Sequence, residues 1–264
     1  MDFALLDGQS ADADGLRALA MANYGHFTSM QVRGRAVRGL DLHLQRLRAA
    51  TRELFGEELD EERVRAAMRA AVDAAGGDCS LRVTVFSRRF DHRRPAEPAP
   101  VDVLTTVSPP AAGDARAIRV KSFEFVRPLP HVKHVGTFPL FHYRRQALAA
   151  GFDDALFVDS RGDVVEGSVW NAGFWDGHSI LWPTGPALRG TMEKLLQLGL
   201  EVIGVPQRWL RVRPEAGPDL AGAFAVNATG IQAIAAIDGR VCPQAAELPG
   251  LLQRVLETQP RQPL

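Results

Sequence analysis

Residues 150–177 read AGFDDALFVDSRGDVVEGSVWNAGFWDG. The run DALFVD reads as a strand, Ser160–Asp163 as a turn, and VVEGSVWNAGF as further strand until Asp176-Gly177, a dipeptide favoured at hairpin tips. Inside this run Glu166 is flanked by apolar residues and followed by Gly167. Such a pattern draws the carboxylate inward, beside a glycine that lets another group approach closely. A carboxylate in that position needs a partner.

Outward from this stretch the helix and strand periods alternate. Downstream, PALRGTMEKLL opens a helix over 189–204, with Gly190 and Thr191 at its start, where backbone N–H groups and a hydroxyl can hold a phosphate. Strands are expected around GAFAVNA (222–228) and QAIAAIDG (232–239), then a closing helix over 248–259. Upstream lie the strand IRVKSFEF (118–125), the polar stretch LPHVKHVGTF (129–138) and a helix over 139–151 ended by glycine.

The first 110 residues carry their own α/β pattern. FALLDG reads as a strand, ADADGLRALAMAN as a short helix, and HFTSMQVRGRAVRG as a hairpin turning at Arg33-Gly34-Arg35. Leu40, Leu44, Leu47 and Leu54 recur at helical spacing, DEERVRAAMRAAVDAAGG forms a second helix stopped by glycines, and LRVTVFS and VDVLTTVS supply two strands. PPAAGDARA (109–117) has linker composition, so the expected domains are 1–110, a smaller N-terminal α/β domain, and 118–264, a larger C-terminal one.

Composition narrows the function classes. Equal numbers of basic and acidic side chains, 31 each, leave no electrostatic footprint for nucleic acid or an acidic membrane and favour small-molecule chemistry. The acidic N-terminus and the absence of a long apolar window point to a cytoplasmic protein. Cys79 and Cys242 match neither a metal spacing nor a disulfide framework, so no metal is expected.

Only three lysines, Lys121, Lys133 and Lys194, stand among 31 basic residues, the rest being arginine. Arginine replaces lysine as a solvated charge but cannot act as a neutral amine, which makes a retained lysine a candidate for amine chemistry. Lys194 follows a helical pattern and Lys121 a strand pattern, both suited to a solvated face, and Lys133 is left. A Schiff base on Lys133 with an aldehyde cofactor would need an acid on the cofactor ring and an anchor for a phosphate. Glu166 answers the first need; Gly190, Thr191 and Arg46, from HLQRL in the first domain, answer the second.

These pieces, in this order, resemble the class IV aminotransferases, the fold type IV pyridoxal-phosphate enzymes: HLQRL, VKH, residues 150–177, LRGTM and FAVNATGIQAIAAIDG span most of the chain. The resemblance implies a two-domain α/β (α+β) fold with pyridoxal 5'-phosphate between the domains, 118–264 being the cofactor-binding domain with a barrel-like sheet. It implies that Lys133 carries the cofactor covalently and that Glu166 pairs with the pyridine nitrogen. Phosphate contacts are implied for Arg46, Gly190, Thr191, Asn227 and Ala228. The expected function is amino transfer between a small amino acid or amine and a keto acid. Branched-chain aminotransferases carry a tyrosine five residues after the lysine, where this chain has Phe138. Lys133-His134, Asn227-Ala228 and FTS at 27–29 look closer to 4-amino-4-deoxychorismate lyases, which share the fold and release pyruvate, so this is the first alternative. A catalytically inactive cofactor-binding protein is the second, drawn from MANYGHFTSM, which departs from the family pattern. The resemblance also implies a homodimer, with Tyr24 and Phe27 as candidate exposed aromatics of its interface.

Overall fold

The computed structural model describes residues 2–111 and 116–264. The chain forms two compact units: Met1–Ala111 with Val132–Gly136 and Arg261–Leu264, and Ala112–His131 with Thr137–Pro260. Within the expected linker, residues 112–115 lie outside the described residues.

The first unit runs β1 (Phe3–Leu6), β2 (Gln9–Ser10), α1 (Ala13–Ala22), β3 (Gly25–Val32), β4 (Ala36–Arg38), α2 (Leu40–Phe55), α3 (Glu61–Ala75), β5 (Cys79–Phe86) and β6 (Asp102–Ser108). Leu40, Leu44 and Leu47 fall on one face of α2, Val64, Met68 and Val72 on one face of α3, and all six are buried. Asp60 caps α3 by accepting the Arg63 N–H, and the helix ends where Gly76 turns left-handed. These two faces pack with Met30, Val32, Leu81, Val83 and Val85 from an antiparallel sheet of order β2-β1-β6-β5-β3. β3 and β4 are joined at Gly34 and Arg35, both at positive φ, as the sequence anticipates.

The second unit runs β7 (Ile118–Glu124), α4 (Phe138–Ala149), β8 (Asp154–Val158), β9 (Val164–Gly167), β10 (Asn171–Trp175), β11 (Ile180–Pro183), α5 (Thr191–Val202), β12 (Gln207–Leu210), a 3-10 helix (Pro214–Asp219), β13 (Gly222–Asn227), β14 (Gly230–Ile237), β15 (Arg240–Val241) and α6 (Glu247–Glu257). Its strands form a curled half-barrel sheet of order β12-β11-β10-β13-β14-β7-β8-β9, with β15 beside β14. Val120, Leu156, Phe174, Ala225 and Ile234 fill its core. Among the described residues no helix is long and apolar enough to cross a membrane.

Two pieces expected in the C-terminal domain belong to the first unit. The last strand, β16 (Arg261–Pro263), pairs antiparallel with β4, and residues 132–136 pair with β3. A single cut near residue 110 therefore misses both. Backbone pairing between distant segments leaves no periodicity to read. Burial also corrects the aromatic expectation: Phe27 is only 7% exposed, and Tyr24 is half-buried, stacked on Phe90 at 4.3 Å. Both pack within the first unit. Among the described residues the exposed aromatics include Phe138 and Phe141 on α4 and Trp209 on the second unit's edge strand.

Candidate functional site

In the first unit, β3 has its outer edge covered by the lysine segment. Phe27 N–H donates to the Lys133 carbonyl and Val135 N–H to the Gly25 carbonyl, each at 2.9 Å, so His26 faces His134 and Phe27 faces Lys133. The Lys133 Nζ lies 4.9 Å from the Phe27 ring centroid. The same ring carries Arg82 from β5, its guanidinium carbon 3.6 Å from the centroid. Both contacts are within cation–π range. Burial lowers the Arg82 pKa below its ordinary value.

The alternate residues of β3, His26 and Thr28, meet α2 and are fully buried. The Thr51 hydroxyl donates to the Leu47 carbonyl at 2.9 Å, so in the 3.0 Å pair with His26 the imidazole Nε2 must be the donor. That fixes the tautomer and leaves His26 Nδ1 a buried acceptor without a partner. His43 Nδ1 lies 2.6 Å from Thr28 Oγ1 and 3.5 Å from Arg46 Nη2. A guanidinium can only donate, so this nitrogen accepts and the ring is neutral. The pKa values agree: burial first, then Arg46 and Lys133, push His43 well below 6.5, and burial with Arg46 brings His26 down to about 3. Burial lowers Arg46 to about 10, which still leaves it charged at neutral pH. The result is a cationic cluster of Lys133, Arg46 and Arg82 whose histidines add no charge.

In the second unit Glu166 lies on β9, every residue of which is buried. A Cβ on Gly167 would stand 1.9 Å from the Trp170 indole, so the turn after Glu166 closes only with glycine there. Arg127 Nε donates to Glu166 Oε1 at 3.1 Å, and both side chains are 3% exposed. Asn171, which starts β10, donates to the Leu188 carbonyl at 2.6 Å and accepts the Gly190 N–H at 3.1 Å. A Cβ on Gly190 would meet this amide oxygen at 2.4 Å. Asn171 thus ties down the turn that launches α5. The Gly190 N–H is held by Asn171 within this turn. The helix start also carries Thr191, which is buried, at the positive end of the α5 dipole.

One turn on, Glu193 is fully buried and accepts from Arg189 at 3.2 Å and Gln197 at 2.9 Å. Its pKa is raised, chiefly by burial, with Glu166 adding to the effect and Arg189 opposing it. Asn227 and Ala228 sit at the tip of the β13–β14 hairpin, where Asn227 Oδ1 accepts from Thr229 N–H and Oγ1 at 2.9 and 2.6 Å. Lys194 is exposed, and Lys121 is half-buried against the Phe152 ring.

The structure therefore brings Lys133 and Arg46 together around His43 in one unit; in the other it buries Glu166 against Arg127 and ties the Gly190-Thr191 turn to Asn171. Sequence reasoning passed over four residues of these networks. His43 and Asn171 were readable, the first one helical turn before Arg46 and the second five residues after Glu166. Arg82 and Arg127 were lost among many arginines. Among the described residues no group of three or more His, Cys, Asp or Glu side chains is placed to hold a metal ion.

The family model of amino-transferase class IV matches residues 25–237. This chain is a class IV aminotransferase family member. The family is one of pyridoxal-phosphate enzymes, and this member shares its fold with solved structures of low sequence identity. A hypothetical aminotransferase from Mycobacterium tuberculosis in its apo form is 21% identical, with 96% of each chain covered and a TM-score of 0.82; the same description has a PLP-bound form. A candidate 4-amino-4-deoxychorismate lyase from Legionella pneumophila is 18% identical, covering 94% of this chain and 96% of that one, at 0.81. The Escherichia coli branched-chain amino acid aminotransferase is 16% identical, covering 96% and 92%, at 0.82. A search of curated proteins finds no match. The donor sets of this class IV aminotransferase suit the family's cofactor: an amine beside a cationic cluster, a buried carboxylate, and a helix start whose glycine is enforced by contact.

Proposed function

We propose that this chain catalyses pyridoxal-phosphate-dependent amino transfer between a small amino acid or amine and a keto acid. The observation that carries the reading is the placement of the Lys133 amine on the Phe27 ring, within a cluster that holds Arg46 and Arg82 but keeps its histidines neutral. When bound, pyridoxal phosphate supplies an aldehyde that condenses with amines and a ring that accepts electrons from the bond being broken. Lys133 is the residue that would hold it covalently, and its Nζ is the group that would take and return the substrate α-proton. Glu166, buried against Arg127, would hold the ring nitrogen in its protonated form. Phosphate binding falls to Arg46 on the first unit and to Gly190, Thr191, Asn227 and Ala228 on the second. The Gly190 N–H is held by Asn171, and Asn227 Oδ1 orders the β13–β14 tip beside Ala228. Arg82 is positioned to take the substrate carboxylate, because its guanidinium shares the ring on which Lys133 rests.

The purified protein should bind pyridoxal phosphate with a visible absorption band, lose the band on adding an amino donor, and recover it with a keto acid. Borohydride should fix the cofactor to Lys133, and Lys133→Ala should abolish that label; a label on Lys194 in the variant would reject the assignment. The lyase reading keeps its sequence features and one structural neighbour, and it predicts pyruvate from aminodeoxychorismate without any keto acid. Silence toward every amine and amino acid would favour the inactive cofactor-binding protein. We also assign a homodimer, since α4 exposes Phe138, Phe141 and Leu148 to solvent, an apolar patch suited to an interface. Light scattering at micromolar concentration would refute this with a monomer mass.

A further inference from the structure

The second unit has a cavity of about 660 Å³ that no catalytic assignment uses. Leu181, Leu210, Val212, Ala216 and Leu220 give it an apolar floor. Arg161, Arg211 and Arg213 stand around it with one acid, Asp163. Its volume lies in the ordinary range for small-molecule sites, roughly 300–1,000 Å³.

The charge around this floor is unbalanced. Arg211 and Arg213 both approach the buried Asp163, at 3.7 and 3.8 Å, distances that give Coulomb attraction without a hydrogen bond. Arg161 has no ion-pair partner among the described residues. Three guanidiniums thus face one carboxylate in a chain whose overall formal charge is zero. Glu215 and Asp219 of the 3-10 helix are exposed and do not line the cavity. Asp159 turns its Oδ1 onto the amides of Arg161 and Asp163, at 2.9 and 3.0 Å, and so fixes the turn from which Arg161 projects. On the opposite wall, the Val164 N–H donates to the Val212 carbonyl at 2.7 Å, holding the segment that carries Arg211 and Arg213 on either side of buried Val212. The cationic groups therefore stand on fixed backbone over an apolar trough.

We propose that this cavity binds a small amphipathic organic anion, its chain or ring on the leucine floor and its carboxylate or equivalent head on the arginines. Planar guanidinium forks suit a carboxylate head, and the floor supplies the apolar burial that a free inorganic anion could not use. This site is separate in its residues from the amino-transfer assignment and stands whether or not that assignment holds.

The test is calorimetric titration of cofactor-loaded protein with octanoate, octan-1-ol and octylammonium. Octanoate should bind saturably with a Kd of about 1 mM or tighter, the alcohol at least about tenfold more weakly, and the ammonium not measurably. Arg161→Glu and Arg211→Gln should each weaken octanoate about tenfold or more while leaving the visible cofactor band unchanged. Arg213 is retained in both, so Asp163 keeps a cationic partner. The proposal is overturned if octanoate does not saturate, if the alcohol binds equally well, or if both variants bind octanoate like the parent.

Discussion

Replacing Arg127 by methionine tests the buried charge network of the second unit most directly. The change removes a guanidinium 3.1 Å from Glu166 Oε1, with both side chains 3% exposed, so solvent cannot take its place without structural opening. At an effective dielectric of about 20, charges at this separation attract by about 5 kcal/mol, which bounds the loss from above. Glu166 has an escape, which is to take up a proton. For a carboxyl of ordinary pKa, about 4.3, protonation at pH 7 costs about 4 kcal/mol, and at pH 5 only about 1 kcal/mol. Arg127→Met should therefore destabilise the unit by about 3–4 kcal/mol at pH 7 and about 1 kcal/mol at pH 5. The sign follows from linkage: in the variant the folded state holds a proton that the unfolded state releases, so the variant weakens as pH rises. Trp170, Trp175, Trp182 and Trp209 are the four tryptophans of the chain and all lie in the second unit, so urea unfolding followed by tryptophan fluorescence reports on it alone. Arg127→Met/Glu166→Gln should recover most of the loss at pH 7. A loss that is equal at pH 5 and pH 8, or below about 1 kcal/mol at both, would refute the account of Glu166 as a buried charge held by Arg127.

Gly190→Ala puts a Cβ at 2.4 Å from Asn171 Oδ1 and must displace one of the bonds that hold the α5 turn; its pyridoxal-phosphate Kd, read by fluorescence quenching, should rise about tenfold. Arg82→Gln should cut kcat/KM for amino-acid donors by about 10- to 100-fold and change that for amines lacking a carboxylate much less; equal losses for both would remove Arg82 from substrate binding. His26 and His43 have folded pKa values below the ordinary 6.5, so their stabilisation is complete above that value and is lost as pH falls from there toward about 3, the folded value of His26. Denaturation followed by circular dichroism should therefore show a shallower acid slope for His43→Gln, by up to about 1.4 kcal/mol per pH unit, and an unchanged slope would contradict the burial of a neutral ring.

Where local pattern sets structure, the sequence was readable. The leucine spacing and Gly56 define α2 from Leu40 to Phe55, and the valines before Glu166 turn its carboxylate into the interior. Neither Gln207–Leu210 nor Arg261–Pro263 shows such a pattern. β12 is an edge strand with two exposed residues, and β16 gains its identity from β4, far away in the chain. The candidate site divides the same way. Lys133 stood out because lysine is rare here, whereas Arg82 and Arg127 differ from other arginines only through Phe27 and Glu166, contacts that no local rule contains. Phe27 misled because an aromatic in a short alternating strand reads the same whether its face meets solvent or cations.

The return of β16 to β4 has a consequence for how the molecule is made. Residues 137–260 of the second unit are contiguous in the chain, but the first unit takes strands from its beginning, from residues 132–136 and from its last few residues. During synthesis α1, α2 and α3 emerge long before the segments that cover β3 and partner β4 exist. Those two strands must wait with unpaired edges, a state open to pairing with other chains. Removing the final four residues would leave the β4 edge permanently open, while residues 132–136 would still cover β3.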